Sequence, residues 1–175
     1  FDGSKTISLP DSGSIRALGI ASDAEHIYVV TGKPSEDGST YDAYVAFVFD
    51  GYGNIANKID IDFPMDDLLS GIAAAEGGQF WVYGTHNLMA YTKGGELAGH
   101  IADYEMDLCT PTVIGGRLYI QALDYRSQFP GIYIADASSA SLIKVSDTLE
   151  LAPNVSHVQS LTGGGLINDG KNIFS

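Results

Sequence analysis

The chain has 175 residues, 45% of them apolar, which suits one globular domain with its own core and excludes an intrinsically disordered segment. Lysine plus arginine number 9 against 22 for aspartate plus glutamate, a formal charge of −13 that excludes nucleic-acid backbones and anionic membrane surfaces as partners and favours cationic or neutral ones. No apolar run approaches the roughly 18–20 residues of a membrane-spanning helix, so no membrane insertion is expected, and Cys109, the single cysteine, excludes an internal disulfide.

A chain that opens on Phe1 rather than methionine reads as a processed, trimmed or excised segment. Its first stretch, FDGSKTISLP at 1–10, matches the turn and last strand of a later one, FDGYGNIANKIDIDFP at 49–64. It is therefore expected to be the final strand of a sheet whose other strands lie elsewhere, joined by the turn-formers DSGS at 11–14 to the first complete unit. That unit, 15–62, reads as four strands: IRALGIASD, HIYVVTG, AYVAFVFD and IANKIDID.

The order recurs. The second unit, 68–103, has GIA at 71–73, QFWVYG at 79–84, NLMAYT at 87–92 and ELAGHI at 96–101. The third, 107–148, has PTVIGG at 111–116, RLYIQAL from Arg117, GIYIAD from Gly131 and SLIKVSD at 141–147. A fourth begins at 155–161 and continues as GLIND at 165–169 and KNIFS at 171–175. A period of roughly 40–50 residues built from four strands predicts a β-propeller.

Residue types agree with that placement. The first strand of each blade lies where backbones converge, which suits Gly19, Ala21, Gly71 and Ala73. Continuous apolar runs such as Tyr44–Phe49 and Phe80–Tyr83 suit middle strands covered on both faces, and they place Trp81 in the core. The lone strand at 1–10 would complete the fourth unit and remove open sheet edges. The expected fold is thus an all-β, single-domain β-propeller of about four blades of four antiparallel strands, with units 15–62, 68–103, 107–148, and 155–175 plus 1–10. A fragment of a larger propeller and a β-sandwich are the alternatives.

The run HIYVVTG followed by AYVAFVFDGYGNI resembles the broad group of propeller repeats of the NHL, YVTN and quinoprotein types. The resemblance covers nearly the whole chain and is generic. There is no Trp-Asp dipeptide of the WD40 kind, and the glycine pairs at Gly77, Gly94 and Gly115 lack the tyrosine and tryptophan spacing of kelch repeats. What it implies is an extracytoplasmic setting, in a secreted or surface-attached bacterial protein.

In an up-and-down blade the a–b and c–d turns share one end, and the b–c turns and inter-blade links share the other. The first end holds tight glycine-rich turns, SDAEH, AEGGQ, IGGR, DGYGN and KGGE. The second holds every long segment: 32–42, 62–67, 102–107, 122–130 and 146–154. Acidic and aromatic residues concentrate there. Tyr41, Asp42, Asp66, Asp67, Tyr104, Asp124, Tyr125, Arg126 and Phe129 are the candidate ligand contacts, suited to a sugar ring or a peptide. In an extended chain Asp103, Glu105 and Asp107 point one way, which makes them the candidate calcium ligands, although the spacing is not that of an EF-hand. A solvated surface would carry the same charges, and no other cofactor is indicated.

Reaction signatures are absent. His26, His86, His100 and His157 fall in separate units without HxH or HExxH spacing, and no G-x-S-x-G elbow, P-loop or dinucleotide fingerprint occurs. Cys109 reads as a small buried residue, and Asn154-Val155-Ser156 is a glycosylation sequon if the source is eukaryotic. The functional expectation is a non-enzymatic binding or scaffolding module for a protein, peptide or glycan. A hydrolase using carboxylates of the same face, for example on glycosides, and a purely structural module of a larger protein are the alternatives.

Overall fold

A computed structural model of the chain describes residues 7–10, 14–127, 129–147, 167–168 and 173–174. These form strands and turns without a helix, so none of them supplies a helix long and apolar enough to cross a membrane. The first sheet is β1 (Arg16–Ser22), β2 (Ile27–Pro34), β3 (Tyr41–Phe49) and β4 (Ile55–Ile61), in that order and antiparallel throughout. The second repeats the order with β5 (Gly71–Ala75), β6 (Gln79–Tyr83), β7 (Asn87–Thr92) and β8 (Leu97–Ala102). The third contains β9 (Met106–Leu108), β10 (Thr112–Ile114), β11 (Arg117–Asp124), β12 (Phe129–Asp136) and β13 (Ser141–Asp147). An all-β chain of antiparallel sheets is compatible with a β-propeller.

The third sheet departs from the expected four-strand pattern. β10 pairs with the first part of β11 and β9 with its last part, so β9 and β10 act as two pieces of one interrupted first strand. The interruption spans Cys109–Pro111, where proline has no N–H to give to the ladder. Burial, with the Asp107 carboxylate nearby, pushes the Cys109 thiol above its ordinary proton affinity, which suppresses the nucleophilic thiolate. β14 (Ile167–Asn168) pairs with β15 (Ile173–Phe174) and lies against β10. The rest of the expected fourth unit, including 155–161, His157 and the sequon, lies outside the described residues, as do residues 1–6 of the segment expected to be its last strand, while residues 7–10 form no strand.

The sheets are stacked in chain order. Tyr28, Val30, Tyr44, Ala46 and Val48 of the first meet Ile72, Phe80, Val82, Met89 and Tyr91 of the second. On the other face of the second sheet, Trp81, Tyr83, Leu88 and Ala90 meet Leu118, Ile120, Ala122 and Tyr133 of the third. Coverage on both faces explains why Phe80–Tyr83 is apolar without alternation, and why Trp81 is buried. The far face of the first sheet, Val29, Phe47 and Phe49, is covered in part by Ile7 and Leu9.

First strands adjoin one another, β1 against β5 and β5 against β10. A Cβ at Gly19 would lie 3.2 Å from the Gly71 Cα, so the glycine at 19 suits the close backbone approach at this convergence. At the glycine-rich end, Gly115 and Gly116 form a two-residue hairpin with φ of 55° and 76°, the type I′ combination whose twist suits adjoining strands. A Cβ at Gly116 would touch nothing, so only the backbone resists substitution. Gly116→Ala is expected to lower stability by about 1–2 kcal/mol, read as a drop in melting temperature with binding unaltered.

Two expected loops are shorter than their sequences imply. The 32–42 segment is strand at both ends, because β2 runs to Pro34 and β3 begins at Tyr41. What is left, 35–40, folds on Asp37, whose carboxylate accepts from the Ser39 N–H and hydroxyl and from the Ser35 hydroxyl. Those hydrogen bonds, the Ser39 N–H foremost, bring Asp37 down to about 2. The 102–107 segment is likewise not an extended link. β8 ends at Ala102, the chain turns so that the Met106 N–H reaches the Asp103 carbonyl at 3.2 Å, and β9 starts at Met106.

Candidate functional site

Antiparallel connectivity gathers the turns at 35–40, 84–86 and 125–127 and the links at 62–70 and 103–105 at one end of the stacked sheets. Contacts across units join them: the Leu108 N–H donates to the Thr85 carbonyl at 2.7 Å and the Tyr125 N–H to the Glu105 carbonyl at 2.9 Å.

The organising residue is Asp67. Only 8% exposed, it accepts five hydrogen bonds. The Leu68 and Thr85 N–H groups bind Oδ1 at 2.8 and 2.9 Å, and the His86 and Asn87 N–H groups with the Asn87 side-chain amide bind Oδ2 at 2.8, 2.9 and 3.0 Å. Gly84 admits the carboxylate, since a Cβ there would lie 2.6 Å from Oδ2. Burial opposes the charge, but the donors from His86, Asn87 and Thr85 outweigh it and hold Asp67 below the usual carboxylate range. Asp67, one of the expected ligand contacts, has both oxygens engaged in clamping the link before β5 to the β6–β7 turn.

Asp66, the preceding residue, is exposed. Its Oδ2 accepts the Tyr104 hydroxyl at 3.0 Å, a bond between residues 38 apart, and no hydrogen bond among the described residues engages its other oxygen. Beside it lies a cleft of about 270 Å³ lined by Thr40, Tyr41, Tyr44, Met65, Asp66 and Leu68, with Asp67 and Ser39 in its walls. The Tyr41 and Tyr44 rings form a corner, centroids 5.6 Å apart at 44°. Tyr41 can lie back only because residue 32 is glycine; a Cβ there would come within 2.4 Å of its ring. Asp42 is exposed and is not part of the cleft lining.

Tyr104, Asp124, Tyr125 and Arg126 lie with the acidic trio at the same end. The Tyr125 hydroxyl donates to Asp107, which raises its proton affinity, and the Tyr104 ring lies 5.4 Å from that of His86. Arg126 reaches Asp124 at 2.8 Å, Asp103 at 3.1 Å and Glu105 at 3.3 Å. Its hydrogen bond to Asp124 draws that carboxyl downward. Phe129 enters β12 opposite Asp124.

The proposed calcium trio is thus divided. Asp103 and Glu105 close on Arg126 while Asp107 turns to Tyr125, because the turn at 103–105 removes the extended geometry that would align them. No group of three or more His, Cys, Asp or Glu side chains among the described residues is placed to hold a metal ion. The carboxylates at this end with shifted proton affinity, Asp37, Asp67 and Asp124, all move downward, opposite to what a general acid needs.

Sequence reasoning missed Met65 and Leu68, which are 79% and 51% exposed on the cleft rim. Their signal was present: apolar residues flanking an acidic pair in PMDDLL, on a link rather than a strand. Tyr44 and His86 were also missed, one hidden in an apolar strand and the other isolated in a turn.

No protein-family model matches the chain, and no curated protein sequence matches it. Among solved structures it is similar to HIRA(644-1017), with a TM-score of 0.43 and 12% identity over 82% of this chain and 57% of that one. It is also similar to a protein of unknown function from Bacteroides caccae, with a TM-score of 0.42 and 13% identity over 86% of this chain and 66% of the other. The chain spans less than two thirds of either neighbour's length. Neither likeness is close enough to carry over a residue role.

Proposed function

We propose that the three stacked sheets are blades of a β-propeller, closed by residues 155–175 with 1–10, and that the end bearing the links is the binding face of a non-enzymatic, extracytoplasmic protein. The blade reading is supported by the adjoining first strands β1, β5 and β10. The extracytoplasmic setting rests on the resemblance of the repeats alone.

One observation carries the binding role. Met65, Leu68, Tyr104 and Tyr125 are each about half exposed or more on one end, and the two tyrosines are held by carboxylates rather than left free to rotate. Apolar surface held in place loses little side-chain entropy when a ligand covers it. Tyr41 contributes too, but its ring also packs on Tyr44, so it is a poor first probe.

The combined variant Met65→Ser, Tyr104→Ala, Tyr125→Ala is expected to lose the binding profile of the native chain on arrays of peptides and glycans. Its melting temperature should stay within a few degrees of native, as expected for exposed positions. An unchanged profile would remove this end from consideration as the binding face.

A further inference from the structure

We infer that the cleft beside Tyr41 receives a basic side chain, lysine or arginine, presented by a segment of a partner protein. The inference rests on the binding-face proposal and specifies its ligand chemistry. At about 270 Å³ the cleft is of side-chain dimensions. Its walls are chemically divided. Tyr41, Tyr44, Met65 and Leu68 offer apolar surface suited to a methylene stem, and the corner of two tyrosine rings favours a cation over a neutral group.

Asp66 stands at the cleft with one oxygen bound to Tyr104 and the other unengaged among the described residues, so it presents a fixed acceptor. The buried negative charge of Asp67 lies in the same wall and strengthens the local field without competing for the ligand. No basic residue lines the cleft, and Arg126, at the same end, is already held by Asp103, Glu105 and Asp124. An anionic ligand would meet this field and the overall charge of −13 unfavourably.

The test is an amide-resolved NMR titration of the full chain with three capped tripeptides: Gly-Arg-Gly, Gly-Lys-Gly and Gly-citrulline-Gly. Citrulline keeps the shape of arginine and removes its charge. The arginine and lysine probes are expected to shift amides at 39–41 and 65–68, and the citrulline probe to bind at least about tenfold more weakly. Asp66→Asn should weaken the basic probes about tenfold and leave citrulline unaffected. Gly32→Ala, which forces the Tyr41 ring from its place, should weaken them with Asp66 intact. Asp60→Asn, at an exposed position on β4, should have no effect.

Equal binding of arginine and citrulline, equal losses at Asp60 and Asp66, or shifts elsewhere would overturn the inference. Such results with the array profile still lost in the Met65/Tyr104/Tyr125 variant would leave the binding face standing. Loss of neither would remove both.

Discussion

Asp67→Ala is expected to lower the stability of this protein by about 3–5 kcal/mol, the largest single effect at the candidate site. The change removes the acceptor of five hydrogen bonds and leaves the N–H groups of Leu68, Thr85, His86 and Asn87 and the Asn87 amide without it. Each buried donor so stranded costs on the order of 1–3 kcal/mol, less where water enters the space vacated. Against the roughly 5–15 kcal/mol that holds a domain together, the loss is severe. A urea titration should show a lower midpoint with an unchanged slope, as for a local change in the native state. Asp67→Asn keeps one acceptor and sets an amide N–H₂ against facing donors, so a loss of about 2 kcal/mol is expected.

The same residue gives a pH dependence with a definite sign. Asp67 is held below the ordinary carboxylate value of 3.8, so its contribution is fully present above that value. It is lost as pH falls through the lower folded-state value. Stability of the native chain should therefore fall on acidification below about pH 4, and the Asp67→Asn variant should show a shallower acid limb. Parallel limbs in the two proteins would contradict a charged, amide-cradled Asp67.

Phe80→Ala is expected to cost about 3–5 kcal/mol by a different mechanism. Phe80 is fully buried between the first and second sheets, its ring 5.1 Å from that of Tyr28 and stacked at 5.7 Å on that of Tyr91. Truncation removes buried apolar area and opens a cavity in a wall supported from both sides. Phe80→Leu refills most of that volume and should recover more than half of the loss. Calorimetry on the two variants separates them, and a near-native melting temperature for Phe80→Ala would mean that the two sheets do not bear on each other there.

The strands of the first two units were readable because each is an apolar run set off by turn-formers. β6 and β7 needed nothing beyond QFWVYG and NLMAYT. β9 was not readable. Met106–Leu108 follows an acidic stretch and resembles a link, and it becomes a strand only by pairing with Ala122–Asp124. The side chains of Asp103, Glu105 and Asp107 diverge for a related reason. Alternation of side chains presumes an extended chain, and a hydrogen bond from Met106 to Asp103 turns the chain within the trio. Arg126 then collects two of its members from a segment about twenty residues away.

The sequence by itself determined the β class, the order of strands within each unit and the end of the stack where acidic and aromatic residues gather. These follow from local periodicity and from turn chemistry, which act over a few residues. Only the tertiary structure decided what the residues at that end do. Asp66 and Asp67 are adjacent and chemically identical, and nothing local separates them. One is engaged as a charged carboxylate by donors from residues 85–87 of another turn, and the other is left at the mouth of a cleft between Tyr41 and Leu68. The difference lies in backbone N–H groups 18 to 20 positions away, brought into place by the pairing of β5 with β6 and β6 with β7.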